Sequence, residues 1–180
     1  MEKPKRYHPL LVGIHWLSAL LVLFMLLAGK LVLVNLPNTE AKIPFLAVHA
    51  LTGILILVLT VARFIVRLAT PRPAPATIGN KFLDIVGQVT HGLLYLGAFG
   101  MGISGLGIAV QSGLFQTIFG AGGSLPQSFY LFPPRTGHGL LATAMLVLIG
   151  LHIGAALLHQ IVRKDNLIGR MSFGRKSAGG

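Results

Sequence analysis

Long apolar stretches without a single charged residue constrain this chain more than any other feature. They cover residues 9–29, 43–62, 85–134 and 136–162. A helix needs roughly 20 such residues to cross a bilayer, so the third stretch is far too long for one helix. Glycines and prolines break its second half after residue 120. The sequence therefore predicts four transmembrane helices, over residues 9–34, 43–68, 82–110 and 136–163.

The composition agrees with a membrane setting. Hydrophobic residues make up 53% of the chain, and charged residues make up 11%, against about 25% in an ordinary soluble protein. We therefore predict an all-α integral membrane protein, in which a bundle of four transmembrane helices forms a single domain over residues 1–180.

The basic residues are distributed unevenly between the two ends of this predicted bundle. Of the fifteen Lys and Arg residues, all but three lie before the first helix, around the second loop or after the fourth helix. The exceptions are Lys30, Lys42 and Arg135. Because positive charge marks the cytoplasmic side, we expect both termini to be cytoplasmic. The first apolar run exceeds a usual signal sequence and lacks a convincing cleavage site, so we expect it to be retained.

Several classes of function are excluded or disfavoured. The net charge of +11 is explained by topology and anionic lipid headgroups, so we predict membrane lipid and no nucleic acid as a partner. The absence of cysteine excludes thiolate-held iron–sulfur clusters and covalently attached haem. No paired carboxylates or Ser-His-Asp set can be assembled. The glycines of residues 100–107 lie in an apolar helix, where they favour close packing or room for a flat macrocycle.

Histidines inside the apolar stretches carry the functional signal. His138 and His152 lie fourteen residues apart on one predicted helix, which brings their side chains within roughly 40° of each other and separates them by about 21 Å along the axis. Such a helix offers an imidazole to each leaflet. Because a polar ring in hydrocarbon is costly without a ligand or hydrogen bond, we predict that these histidines bind haem.

Depth along the helices suggests how the histidines pair. His49 and His138 fall in the outer half of the bundle, whereas His15 and His152 fall in the inner half. Two pairs at two depths predict two haem groups, one in each half. Two alternatives remain open for the inner haem, because His159 lies close to His152 on nearly the same face and His91 has a similar depth.

Several segments of the sequence together resemble a known protein family. The segments that carry this resemblance are residues 13–17 (GIHWL), His49 with Gly53, Arg63 and Arg67, His91 with Tyr95, and residues 150–152 (GLH) continuing through His159 to 164–166 (KDN). Together they resemble the bacterial cytochrome b561 family of small dihaem cytochromes of the inner membrane. The match covers essentially the whole chain and is poorest over residues 110–135.

The resemblance implies specific roles for several residues. It implies two haem b groups, with axial ligands at His15, His49, His138 and His152, and it favours His152 over His159. It also implies electron transfer between membrane ubiquinone and a periplasmic partner, with superoxide as one candidate donor. His159 and Lys164 are then candidates for quinone exchange. Arg63, Arg67 and Arg135 are candidates for contacts to the haem propionates.

The sequence is also compatible with other functions. The chain could be a cytochrome b subunit that docks a periplasmic hydrogenase or dehydrogenase. From a different class, it could be a non-haem transporter or proton channel with a histidine relay. A homodimer through the glycine-rich third helix is compatible with the sequence, which does not determine the oligomeric state.

Overall fold

The computed structural model describes residues 4–77, 79–120 and 122–173. The regular elements in these ranges are all helical, and the α-helices are α1 (Pro9–Leu27), α2 (Ile43–Ala69), α3 (Lys81–Gln111), α4 (Leu114–Ile118) and α5 (Pro134–Leu157). With the helical turns that adjoin them, α1, α2, α3 and α5 are long and apolar enough to cross a membrane. Three residues of the predicted charge asymmetry lie outside the described residues, namely Lys3, Arg175 and Lys176.

Local sequence explains where the long helices begin. A proline occupies the first turn of α1, α2 and α5, where its missing N–H costs nothing. The side chain of Asn80 caps α3 by accepting hydrogen bonds from the backbone N–H groups of Phe82 and Leu83. The starts of the four long helices are therefore set by prolines and an asparagine that can be recognised in the sequence.

Two of the long helices widen at their C-terminal ends. A π-helical segment over Ala28–Leu33 continues α1, and another over Leu158–Arg163 continues α5. π-Helical turns change the direction in which side chains project and are frequent at functional sites. The second segment contains His159, so the face on which this ring lies differs from that expected for a regular helix.

Glycines on α3 allow the helices to pack closely. A Cβ atom at Gly102 would lie 2.8 Å from a methyl group of Leu57 on α2, and one at Gly100 would lie 3.0 Å from Leu141 on α5. A Cβ at Gly97 would overlap the side chain of Met145. Small residues are typical of such interfaces within membranes. The predicted packing role of residues 100–107 is therefore observed.

Large apolar side chains cover the outside of the bundle. Leu20, Leu96 and Val147 are each at least 60% exposed, and many others resemble them. A water-soluble bundle would bury such residues against a core, whereas hydrocarbon chains solvate them in a bilayer. The four apolar helices therefore fit a multi-pass membrane protein.

The segment before α1, the α2–α3 loop and the described segment after α5 meet at one end of the bundle, which we name the terminal end. The backbone N–H of Tyr7 donates to the carbonyl of Arg170 over 3.1 Å. The indole of Trp16 donates to the carbonyl of Met171 over 2.7 Å, and Arg170 donates to the carbonyl of Ala74 over 2.8 Å. The segment after α5 thus folds back beneath α1. We name the opposite end of the bundle the loop end.

The segment between α3 and α5, predicted as a loop, contains the short helix α4 and a 3-10 turn over Phe129–Leu131. Leu114 packs in a buried cluster with Leu46 and Ala109. The side-chain amide of Asn38 donates to the carbonyls of Pro126 and Gln127. These contacts hold the segment across the loop end.

Candidate functional site

Two histidines face each other in the half of the bundle nearest the loop end, and we name them the outer pair. His49 lies on α2 and His138 on α5, with ring centroids 6.2 Å apart and ring planes inclined by 67°. The Nδ1 atom of His49 is buried and has no hydrogen-bond partner in the described part of the chain. Ser104 on α3 lies 3.0 Å from Nδ1 of His138.

Three histidines meet in the other half, and we name them the inner group. His15 on α1 and His152 on α5 have ring centroids 6.3 Å apart with planes inclined by 80°. The ring of His91 on α3 lies 5.2 Å from that of His152. The Nδ1 atom of His15 is buried and makes no hydrogen bond to any described residue.

The centroid separations distinguish His15 from His91 as a partner of His152. Two imidazoles that bind one metal from opposite sides, each with a metal–nitrogen distance of about 2 Å, have centroids about 6 Å apart. The outer pair at 6.2 Å and the pair of His15 and His152 at 6.3 Å both have this spacing. At 5.2 Å, His91 and His152 are too close for that arrangement.

A large cavity surrounds the outer pair. Its volume is about 750 Å³, within the range of roughly 300–1,000 Å³ that is typical of ligand and cofactor sites. Both outer histidines line it, together with Gly53 and with residues of the α3–α5 segment such as Phe115 and Phe129. No atom of the described residues lies within 4 Å of a Cβ built at Gly53. The cavity is therefore open beside Gly53 and extends to residues of the loop end.

All three basic residues of the loop end line this cavity. Lys30 donates to the hydroxyl of Thr143, and the buried Lys42 donates to Leu36 O and Asn38 Oδ1. The guanidinium of Arg135 lies over the ring of Tyr130, 4.6 Å from its centroid. Within the described residues, none of these cations forms a salt bridge with a carboxylate. Unpaired positive charge in a cavity attracts anions.

Arginines also approach the inner group, from α2. Arg63 and Arg67 lie against the ring of Tyr95, with guanidinium carbons 5.3 and 6.0 Å from its centroid. The Nε atom of Arg63 is buried, with no hydrogen-bond partner among the residues described. A buried, unpaired donor of this kind is costly unless a further acceptor is present.

His159 makes contacts that separate it from the other rings. It is only 6% exposed, and its Nδ1 lies 2.5 Å from Oδ2 of Asp165. This hydrogen bond lowers the pKa of the Asp165 carboxyl below its usual value. The following turn is tight, because Lys164 and Asn166 both adopt positive φ angles. Lys164 lies in this turn, directly before Asp165 in the sequence.

Comparison with known proteins shows to which family the chain belongs. The profile of a family described as prokaryotic cytochrome b561 matches residues 6–174. The chain belongs to this family. The resemblance inferred from the sequence is thereby confirmed, and the chain is a membrane electron-transfer protein.

Individual relatives align over nearly their whole length. A protein named "Probable superoxide oxidase CybB" from Yersinia pestis is 32% identical over 93% of this chain and 96% of its own length. "Cytochrome b561 homolog 2" of Escherichia coli K12 is 31% identical over 97% and 95%. "Cytochrome b562" of Cereibacter sphaeroides is 30% identical over 95% and 98%.

Membership of the family implies haem b, and the residues present fit such a group. Imidazoles at the spacing of a shared iron, buried ring nitrogens without partners and an open cavity beside Gly53 all suit a haem held by histidine. The same membership disfavours the non-haem transporter or proton channel. His15, His49, His138 and His152 of the cytochrome therefore remain the candidate ligands.

Two residues of the cytochrome's site escaped sequence reasoning. Asp165 follows His159 by six residues, beyond the regular helix, and only the turn at Lys164 brings its carboxylate back to the ring. Ser104 is an ordinary helical serine in the sequence, and its contact with His138 spans two helices. A search for polar residues at the depth of each histidine would have signalled Ser104, and nothing in the spacing would have signalled Asp165.

Proposed function

We propose that this cytochrome binds two haem b groups and transfers electrons across the membrane from superoxide to ubiquinone. The proposal rests on one observation. Two histidine pairs, each with the spacing expected for one shared iron, lie in opposite halves of the bundle. Bound between two imidazoles, haem supplies an iron without an open position, which suits electron transfer.

The proposed roles of the chain's residues follow from their places. His49 and His138 hold the outer haem, and His15 and His152 hold the inner one. Arg63 and Arg67 pair with inner propionates, which would satisfy the buried Nε of Arg63. Arg135, which lines the outer cavity, pairs with an outer propionate.

The proposed donor is a small anion that reaches the loop end. Lys30, Lys42 and Arg135 support this choice, because their positive charge, which no carboxylate of the described residues neutralises in a salt bridge, lies around the cavity of the outer pair. The name of the Yersinia pestis relative supports superoxide in particular. The reaction is balanced when two superoxide ions each lose one electron and leave as O₂, while one ubiquinone takes up both electrons and two protons.

The proposed quinone exchange takes place at the terminal end. The His159 ring can donate a hydrogen bond to a quinone carbonyl and pass on a proton. Asp165 orients that ring through its 2.5 Å contact, as carboxylates commonly do for functional histidines. Lys164, in the adjoining turn, supplies positive charge. The positive-inside distribution supports a cytoplasmic position for this end and for both termini, in a bacterial inner membrane.

The proposed function is tested with the purified holoprotein. A pyridine haemochrome assay should give two haem b groups per chain. Superoxide generated enzymatically should then drive ubiquinone reduction in the presence of catalase, and superoxide dismutase should abolish that reduction. One haem at full occupancy would overturn the pairing. Two haems without superoxide-driven reduction would overturn the donor and favour a subunit that docks a periplasmic hydrogenase or dehydrogenase.

A further inference from the structure

A hydroxyl group on α3 contacts one ring of the outer pair. Ser104 Oγ lies 3.0 Å from Nδ1 of His138, 2.6 Å from the carbonyl oxygen of Gly100 and 3.2 Å from that of Met101. The next residue, Gly105, lies against the same ring, because a Cβ atom there would be 3.3 Å from Cε1 of His138. Consecutive residues of α3 therefore form a seat for this imidazole.

Counting protons gives the direction of the hydrogen bond. A hydroxyl has one proton to donate, whereas a carbonyl oxygen can only accept. The shortest contact of Ser104 is with the carbonyl of Gly100, so its proton is directed there. The serine oxygen can then meet Nδ1 of His138 only as an acceptor, beside the backbone of Met101, which also hydrogen-bonds to this ring. Nδ1 therefore carries the ring proton, which leaves Nε2 as the nitrogen with a free lone pair.

We propose that Ser104 is a positioning residue for the outer haem, because it holds His138 in the tautomer whose Nε2 can bind iron. This inference rests on the proposed ligation by His138. Partners of a ligand's second nitrogen generally fix the ring and raise its basicity. The effect is specific to one ligand, since the Nδ1 atoms of His49 and His15 have no partner among the described residues.

The consequence is a difference between the two haems. A more basic imidazole stabilises the oxidised iron, so the contact with Ser104 lowers the midpoint potential of the outer haem. Its removal should raise that potential and leave the inner haem unchanged. Loss of such a partner typically weakens metal binding about 10- to 100-fold, so the outer haem should also dissociate faster.

The test compares Ser104→Ala with Thr60→Ala in the holoprotein. Thr60 is a matched control, because its buried hydroxyl also donates to the carbonyl four residues earlier, that of Ile56, and makes no hydrogen bond to any histidine that the structure describes. In Ser104→Ala, redox titration should show one midpoint raised, low-temperature EPR should show one shifted low-spin signal, and transfer to apomyoglobin should release one haem about 10-fold faster. Thr60→Ala should match the wild type.

A second variant guards against simple misfolding. Ser104→Thr keeps the oxygen, so it should retain both haems with potentials close to those of the wild type even if Ser104→Ala loses the outer haem. Unchanged potentials in Ser104→Ala, or equal shifts in the Ala and Thr variants, would overturn the role of the hydroxyl. If His138→Ala keeps both haems, the proposed ligation fails. Normal haem loss in His138→Ala with an unaltered Ser104→Ala refutes only the present inference.

Discussion

The two histidine sites of this cytochrome share a spacing and differ in almost everything around it. The outer pair consists of two rings beside a cavity of about 750 Å³. Three cations line it, and none of them forms a salt bridge with a carboxylate in the described parts of the chain. The inner group brings a third ring, His91, to within 5.2 Å of His152, and the segment after α5 folds beneath it through the contact of Trp16 with Met171. One site therefore lies beside a cavity that reaches the loop end, and the other lies beside a third histidine ring and the segment that follows α5.

This difference fits the two functions proposed for the two ends of the bundle. Unpaired cations around a cavity suit the arrival of a small anion. A buried ring hydrogen-bonded to a carboxylate, as in His159 and Asp165, suits the handling of protons. The bundle thus combines two similarly spaced histidine sites with different polar groups at its two ends.

Removal of the proposed ligands should have the largest effect and separates the two sites directly. His138→Ala should lose the outer haem and keep the inner one, whereas His152→Ala should do the reverse, because the ligands of each haem come from a different half of the bundle. Pyridine haemochrome assay and EPR should show one haem per chain in each variant. His91→Ala is the control and should keep two, since its ring is too close to His152 for opposite coordination.

The contrary result is equally informative. Should His91→Ala or His159→Ala lose the inner haem while His152→Ala keeps both, the inner ligand would have been assigned to the wrong ring.

Disruption of the His159–Asp165 pair should have the next largest effect. His159→Ala should leave the reduced-minus-oxidised spectrum intact and slow haem reduction by ubiquinol about 100-fold or more, because a positioned proton donor or acceptor usually contributes about 10²–10⁴. Asp165→Asn should slow it less, because the ring remains. Stopped-flow measurements with ubiquinol decide the matter. Asp84→Asn removes another carboxylate of the same end and should leave the rate unaltered. An unchanged rate in His159→Ala would remove this residue from the mechanism.

Charge at the outer cavity should have a smaller effect. Lys30→Gln removes one cation from the lining, so superoxide-driven reduction should fall severalfold at low ionic strength and approach the wild-type rate in high salt, where charges are screened. Lys81→Gln removes a cation at the start of α3, on the terminal end, and should have no effect. Equal losses in the two variants would show that steering at the loop end is not the cause.

The smallest expected effect concerns pH at the terminal end. Because the hydrogen bond from His159 lowers the folded-state pKa of Asp165, the ionised carboxylate stabilises the turn above its unfolded pKa, and this contribution is lost as pH falls through the folded value. Hydrogen-exchange protection of residues 165–171 should be constant near neutrality and decrease below about pH 4. Asp165→Asn should lack this step, and Asp84→Asn should retain it. A step that persists in Asp165→Asn would assign it to another group.

The sequence alone determined the helical class of the chain and the depths of its histidines. Uncharged runs of about 20 residues have few alternatives in a bilayer, since every backbone polar group must be bonded within the helix. A separation of fourteen residues, as between His138 and His152, specifies both the distance between the two side chains along the helix axis and the angle between them around it. These inferences needed only the regular geometry of a helix.

Tertiary structure decided what regular geometry leaves open. His159 and His152 lie seven residues apart and resemble each other as ligands in the sequence, but the π-helical segment and the turn at Lys164 direct His159 to Asp165. Two further contacts depend on how closely α5 packs against the glycines of α3. They are the approach of His91 to His152 and the contact of Ser104 with His138. Contacts between helices arise from packing and from irregular turns, and neither is encoded in the spacing along a single helix.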